Sequence, residues 1–541
     1  MRFILLFCCL LPLFAAAQRY EFTHDDTLRG SITPQRVWWD LKYYHLSIKV
    51  QPSDSTVGGS TVIAYKVLKP NQTLQVDLQR PLKVTKIEQD GQELTYRQDG
   101  DAYFVTLKKP QKTGQREQLT VFYGGKPRRA KNPPWDGGFV WARDSTKQWF
   151  IATACQGLGA SAWWPCKDHM YDEPDSMLIS VTVPEPLTDV SNGMLRRVTK
   201  NGDGTQTFDW FVGNPINNYG VNVNAAQYVH WADSYAGEKG KLALNFYALP
   251  EDEAQARKQF QQVPLMLKAF EHWFGPYPFY EDGYKLVQTP YLGMEHQSSV
   301  TYGNRFKNGY LGRDLSGTGW GLLWDFIIVH ESGHEWFANN ITYRDVADMW
   351  IHESFTNYSE NLFVEYYYGK EAGAQYVIGC RNNVRNDRPI IGIYNVNRSG
   401  SGDMYYKGGN MLHTIRQIVN DDERWRQLLR GMNKTFYHQT VTTKQIETYV
   451  SQQAGHNFQK VFDQYLRDPR IPTLEYRMEN GVVEYRWANC VAGFDMPVRV
   501  CLDEANAYQN LKPTNTWRTF AAKGAISLNV DANYYVNVKR L

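Results

Sequence analysis

The period of the hydrophobic pattern changes twice along this chain, and nothing else in it constrains the fold as strongly. From about Trp38 to Val229 apolar and polar residues alternate in short runs, as in His45-Leu46-Ser47-Ile48-Lys49-Val50. Alternation puts every second side chain on one face, which suits half-buried strands. Asp90-Gly91, Asp99-Gly100 and Asn201-Gly202 break the runs with turn chemistry, and Leu195 to Phe211 reads as a hairpin. Near residue 250 the spacing becomes helical. Phe260, Val263, Leu265, Leu267, Phe270 and Trp273 predict a helix over Glu253 to Trp273. Further helices are expected at Leu322 to Asn339, His352 to Tyr367, Lys407 to Val419 and Thr443 to Ala454. Beyond Arg470 the two-residue period returns, with strands expected at Val482 to Trp487, Pro497 to Leu502, Ile526 to Val530 and Tyr534 to Val538.

The expected class is multidomain α+β. An N-terminal antiparallel β domain (18–238) precedes a mostly helical domain (239–470) and a small β-sandwich domain (471–541). The 541 residues fit this division, since about 150 per domain allows three to four. Lys+Arg 59 against Asp+Glu 56 is close to balance, so no basic stripe argues for nucleic acid. Lys126-Pro127-Arg128-Arg129 lies in a Pro/Gly-rich stretch and reads as a solvated loop. The aromatic share of 14% is high, and packing on strands accounts for it more simply than sugar binding.

The first seventeen residues stand apart. Arg2 precedes an apolar run from Phe3 to Phe14, and Ala15-Ala16-Ala17 offers a cleavage site, so 1–17 reads as a secretory signal peptide. The run is shorter than the ~18 residues a span needs, and no other stretch could cross a bilayer. An exported protein, periplasmic or secreted, is expected. Cys155, Cys166, Cys380, Cys490 and Cys501 form an odd, sparse set with neither a disulfide framework nor zinc-knuckle spacing, and any pairing among them stays open.

His330-Glu331-Ser332-Gly333-His334 places two histidines four residues apart on a predicted helix. Four residues make slightly more than one turn, so both imidazoles leave the same face and can share one zinc. Glu331 is rotated about a quarter turn away, beside the metal, where a general base belongs. Catalytic zinc takes three protein ligands and keeps one open position. Glu353, nineteen residues after His334, is the candidate third ligand. Glu360, on the same helix face, is placed to orient a ligand, with a solvated glutamate as the competing reading. His352, beside Glu353, is expected to point elsewhere.

This motif, with Trp350 ahead of Glu353, resembles the aminopeptidase N family of gluzincin metallopeptidases. The resemblance implies a saddle-like β domain, a thermolysin-like catalytic domain and one Zn2+ per chain. The family's G-x-M-E-N is matched by Leu292-Gly293-Met294-Glu295-His296, with leucine and histidine departing from it. Glu295 then binds the substrate's free α-amino group, with Gly293 and Met294 as further substrate-binding positions. The family's Y-x-K-G is matched at Tyr405-Tyr406-Lys407-Gly408, making Tyr405 the oxyanion donor, with Tyr406 as the competing assignment. Gln156 resembles the N-domain residue that helps hold the amino group. Trp164 to Asp168 with Asp172-Glu173-Pro174 resembles the family's P-C-x-D-E-P, with an insertion and a structural role. Longer members add a C-terminal helical domain that roofs the site, and the absence of a helical pattern after Arg470 implies an open cleft.

The implied activity is hydrolysis of the N-terminal bond of peptides with a free N-terminus. A zinc endopeptidase with the same core and an inactive binding scaffold are the alternatives. Neither the preferred first residue nor the oligomeric state is legible. The sequons Asn340-Ile341-Thr342 and Asn357-Tyr358-Ser359 fall at the site, where glycans would collide with it. They point to a compartment without N-glycosylation, such as a bacterial periplasm.

Overall fold

The computed structural model describes residues 22–503 and 507–541, so the expected signal peptide at 1–17 lies outside it. The alternating N-terminal stretch forms an eight-stranded sheet built around Trp39–Gln51 and Thr56–Val67. Leu46, Ile48 and Val50 point inward on the first of these, as the two-residue period requires. All pairs in this sheet are antiparallel except Trp39–Gln51 with Ser176–Pro184, where Tyr43 meets Ser176 in parallel register. The expected hairpin is Met194–Lys200 against Thr205–Val212. A three-stranded and a four-stranded sheet complete this part. Lys126, Arg128 and Arg129 are exposed on a loop.

Val229–Gly237 and Gly240–Ala248 pair as a hairpin that opens a five-stranded sheet with Tyr284–Gln288, Val300–Tyr302 and, at its edge, Gly293–Met294. Residues 238 and 239 therefore fall in the turn of one hairpin. The edge strand also joins two cores: Tyr291 and Met294 pack with the N-terminal apolar cluster, whereas Val300 and Ile327 pack with the helical one.

Two expected helices are interrupted. Glu253 to Trp273 is two helices, Glu253–Gln259 and Gln262–Phe274. Pro264 explains the break: it has no N–H to give the Phe260 carbonyl, and its ring crowds that position. Leu322 to Asn339 is regular only over Phe326–Gly333, after a 3-10 turn at Trp320–Leu322. From Glu335 to Asn339 the backbone is distorted, with Phe337 at φ −128°, ψ 72°. By contrast Trp350–Tyr368 is one helix whose residues from Trp350 to Val364 are all buried. A helix enclosed on every side needs a partner for each polar group it carries, and this one supplies much of the site.

The C-terminal strands form a four-stranded and a three-stranded sheet. Leu474, Trp487, Val498 and Leu528 belong to the same apolar cluster as the catalytic helices, so this part shares their core. The last two strands are shorter or shifted from expectation, at Leu528–Val530 and Asn537–Arg540; Tyr534 instead turns into the core, its N–H on the Asp531 carbonyl. All five described cysteines are free. Among the described residues no helix is long and apolar enough to cross a membrane.

Candidate active site

Asp325 starts the His330 helix, Phe326–Gly333. Its carboxylate accepts the N–H groups of Ile327 and Ile328 at 3.0 and 3.3 Å, satisfying donors that a helix start leaves open. Ile327, Ile328 and Val329 anchor the helix in the core. His330 and His334 sit one turn apart with ring centroids 5.0 Å from each other. Each ring is fixed through Nδ1. His330 Nδ1 lies 2.7 Å from Glu360 Oε1, and His334 Nδ1 lies 3.0 Å from both the Phe337 carbonyl and Thr356 Oγ1. The distorted turn after Gly333 thus has a use: it brings the Phe337 carbonyl onto His334. A proton held at Nδ1 leaves Nε2 free as a ligand atom.

Glu353 enters from the first turn of Trp350–Tyr368. Its Oε2 is 3.4 Å from His334 Nε2 and 3.9 Å from His330 Nε2. That oxygen is buried, and among the described residues no donor reaches it with hydrogen-bond geometry. The ligand atoms of His330, His334 and Glu353 all lie within 4.8 Å of one another. Glu295, Glu331 and His334 meet the same measure. The first set fits zinc better, because it offers two imidazoles and a carboxylate oxygen that faces both of them. Glu295, Glu331, Glu353 and Glu360 are all buried around only two imidazoles. A divalent cation held by His330, His334 and Glu353 would offset that excess of negative charge.

The electrostatics follow from this crowding. Burial pushes the Glu331 carboxyl up to about 7; the His330 charge opposes this and Glu295 adds to it. Glu295 is raised by burial against the pull of His334. Burial alone would raise Glu353, but His334 and His330 hold it below the usual carboxylate range. Burial would also lower His334, yet Glu353 and Glu295 lift it to about 10, so binding a metal there displaces the Nε2 proton.

Gln156, from the N-terminal β part, reaches across and donates Nε2 to Glu295 Oε1 at 2.7 Å and to Glu353 Oε1 at 3.1 Å. Tyr219 also donates to Glu295 Oε1, at 3.0 Å. Gly293 and Met294 form the edge strand beside them, and a Cβ at Gly293 would lie 2.6 Å from Ile327 Cγ2 and 3.2 Å from Glu331 Cγ. Glycine there lets the strand lie directly on the His330 helix. His352 is turned away from the ligands: its Nε2 accepts the Tyr343 N–H at 2.9 Å.

Tyr405 precedes the helix Tyr406–Val419, its ring 6.1 Å from that of His330. Burial, with Glu353 and Glu295 close by, raises its phenol well above 10, so it keeps its proton. Tyr406 instead feels Glu360 and Cys380. Gly408 explains the close approach: a Cβ there would fall 1.9 Å from Ser354 Oγ on the Glu353 helix. Lys407 donates to the carbonyls of Asp468 and Pro469 at 3.0 and 3.1 Å, a structural tie. The buried Lys167 does similar work, pairing with Asp172 and the Trp39 carbonyl.

A pocket of about 510 Å³ opens over these groups, walled by Gln156, Leu292 to Glu295, Tyr310, Tyr405 and Tyr406. The sequence did not mark several of its parts. Trp135, 64% exposed, stands on the rim. Arg385 lines the far wall, its N–H on Asp403 in the turn just before Tyr405. Tyr219, Thr356 and Tyr376 support Glu295, His334 and Glu360, and each is remote in sequence from the group it serves.

Two oriented imidazoles and a free carboxylate oxygen, beside a buried glutamate near neutrality, define a metallopeptidase type of centre. The chain belongs to peptidase family M1: the Peptidase M1 N-terminal domain matches residues 41–219 and the Peptidase family M1 domain residues 260–465. It is similar to "Probable aminopeptidase 1" of Sulfurisphaera tokodaii, 20% identical over 425 residues that cover 75% of this chain and 50% of the relative. It is also similar to endoplasmic reticulum aminopeptidase 1 of Mus musculus, 23% identical over 214 residues that cover 37% of this chain and 23% of the relative. The chain therefore spans half the length or less of these curated relatives. Among solved structures the fold resembles the M1 zinc metallopeptidase of Deinococcus radiodurans, with a TM-score of 0.66 and 22% identity, covering 81% of this chain and 95% of that one. A variant of that protein bound to a Tyr-Ser-Ala substrate aligns with the same score.

Proposed function

We propose that this chain is a zinc-dependent aminopeptidase that releases the N-terminal residue of peptides. One observation carries the exopeptidase reading. Glu295 stands beside the ligand Glu353, joined to it by the Gln156 amide, and among the described residues the side-chain donors to it, Gln156 and Tyr219, both fall on Oε1. A carboxylate so placed pairs with a substrate ammonium and sets the scissile bond one residue in from the N-terminus. Family membership and the tripeptide held by the Deinococcus neighbour support the same substrate class.

His330, His334 and Glu353 would hold the zinc, which supplies Lewis acidity that makes water a stronger acid and polarises the scissile carbonyl. Glu331, buried beside the ligand set, takes the proton from the attacking water and hands it to the leaving amine. Tyr405 donates a hydrogen bond to the oxyanion as it forms. Glu295 and Gln156 keep the N-terminus in place throughout.

The test compares peptides with free and N-acetylated termini, with and without chelator. Free peptides should turn over at least tenfold faster (an order-of-magnitude figure for losing one charge-assisted contact), and chelator should abolish the rate. Equal rates on blocked peptides would favour the endopeptidase reading, which the departures at Leu292 and His296 motivate.

Export to a periplasm or the exterior is proposed as well. It is supported by the leader-like 1–17 and by the burial of Asn340 and Asn357, which leaves no room for glycans. N-terminal sequencing of the mature protein from fractionated cells tests it, and an intact Met1 would refute it.

A further inference from the structure

We propose that Tyr219 and His352 form a one-directional hydrogen-bond chain that fixes Glu295, and that this chain sets the preference for a free α-amino group. The proposal rests on the aminopeptidase reading above. Tyr219 and His352 are positioning residues: they act through Glu295 and do not touch the reacting atoms.

The direction of the chain follows from its donors. His352 Nε2 accepts the backbone N–H of Tyr343 at 2.9 Å and so carries no proton. The ring proton is then on Nδ1. That atom lies 3.4 Å from the Tyr219 hydroxyl oxygen, which accepts it. The hydroxyl hydrogen is left to point at Glu295 Oε1, 3.0 Å away. Tyr219, His352, Tyr343 and Glu295 are all buried, so water does not compete for these contacts. The His352 ring lies 4.1 Å from the Tyr343 ring, which holds it in register with the backbone donor.

The consequence falls on Glu295. Its Oε1 receives two donors, Gln156 Nε2 at 2.7 Å and the Tyr219 hydroxyl. The carboxylate is thereby held in one rotation, with Oε2 left to meet the substrate ammonium. Gln156 alone is a weaker guide, because its amide nitrogen is shared with Glu353 and its side chain is half-buried. Without the Tyr219 hydroxyl the carboxylate gains freedom that binding must remove. The loss should appear only for ligands that carry an amino group.

Two zinc-binding hydroxamates read this out: L-leucine hydroxamate and 4-methylpentanohydroxamate, the same molecule without the amino group. In the zinc-loaded full chain, Tyr219→Phe should weaken the first about tenfold and leave the second within about twofold. With an amino-acid p-nitroanilide the same variant should raise KM and leave kcat nearly unchanged. Loss of both hydroxamates alike, or of neither, overturns the proposal. If Tyr219→Phe does not fold, His352→Leu gives the same readout, because leucine has no side-chain N–H to donate to Tyr219 while the hydroxyl stays in place. An unchanged ratio in folded His352→Leu then overturns it. Glu295→Gln separates the two layers. If Glu295→Gln leaves the ratio of the two inhibitors unchanged, the aminopeptidase reading itself fails. If Glu295→Gln abolishes the ratio and Tyr219→Phe does not change it, only the chain fails.

Discussion

Glu360 Oε1 accepts the Nδ1 proton of His330 at 2.7 Å, joining two helices across thirty residues of sequence. Tyr376 donates to Glu360 Oε2 at 2.7 Å and Asn357 Nδ2 to Oε1 at 3.2 Å, so the carboxylate is itself held. A carboxylate on the far nitrogen fixes the tautomer of a ligating imidazole and makes it more basic. Glu360→Ala should lower zinc affinity by about 10–100-fold. Competition with a calibrated chelator measures it, and wild-type affinity would remove Glu360 from this role.

Glu331 is expected to move protons and not to bind the metal. Glu331→Gln should keep stoichiometric zinc while kcat falls by about 10²–10⁴-fold. Metal analysis beside steady-state kinetics checks both halves. A purified variant that turned over normally would refute the mechanism.

Tyr405 and Tyr406 make opposite predictions. Tyr405→Phe should lower kcat by roughly 10²–10³-fold with KM little changed, since the phenol acts on charge that develops during reaction. Tyr406→Phe should have a small effect, because its surroundings are Glu360 and Cys380 and not the ligand set. The reverse pattern would transfer the role to Tyr406.

Acid should destabilise the fold through two histidines far from the metal. His169 sits with Nε2 3.2 Å from the Gly30 carbonyl, and His413 with Nε2 2.9 Å from Asn533 Oδ1. Burial lowers both to about 3, from an ordinary value of 6.5. Between those values the unfolded chain binds more protons. Stability that is complete above about pH 6.5 is therefore lost as pH falls toward 3. Near pH 5 each histidine costs about 2 kcal/mol. Buried carboxylates such as Glu173 and Glu335, raised to about 7 and about 8, gain stability over the same fall, so the check is a difference: in urea unfolding, His413→Gln should lose about 2 kcal/mol less than the wild type between about pH 7.5 and about pH 5. An unflattened profile in that variant would count against the account.

Much of this centre was legible because it is local. One helical turn puts His330 and His334 together whatever surrounds them, and Glu331 follows from the same geometry. Glu360 shares a face with Glu353 by helical spacing alone. Interruptions were harder to see. Pro264 marks a break in its apolar stripe, but the distorted turn at Glu335–Asn339 has no breaker within it. Its geometry depends on Phe337 packing against Phe274 and Phe355 and on the carbonyl it turns toward His334.

The sequence by itself determined the order of β, helical and β segments, the family, and the helix that offers two imidazoles to one ion. Each depends on spacing along contiguous chain, where a period of two or 3.6 residues fixes direction. The resemblance had already implied Gln156 beside Glu295, but tertiary structure alone decided the contacts and added Tyr219. Gln156 lies 139 residues from Glu295, and Tyr219 lies 76 residues from it. Only the docking of the N-terminal β part onto the edge strand at Gly293–Met294 brings those donors to one carboxylate. Nothing in the residues around Tyr219 marks that contact, because a buried hydrogen bond is set by where two cores meet and not by the local pattern of either.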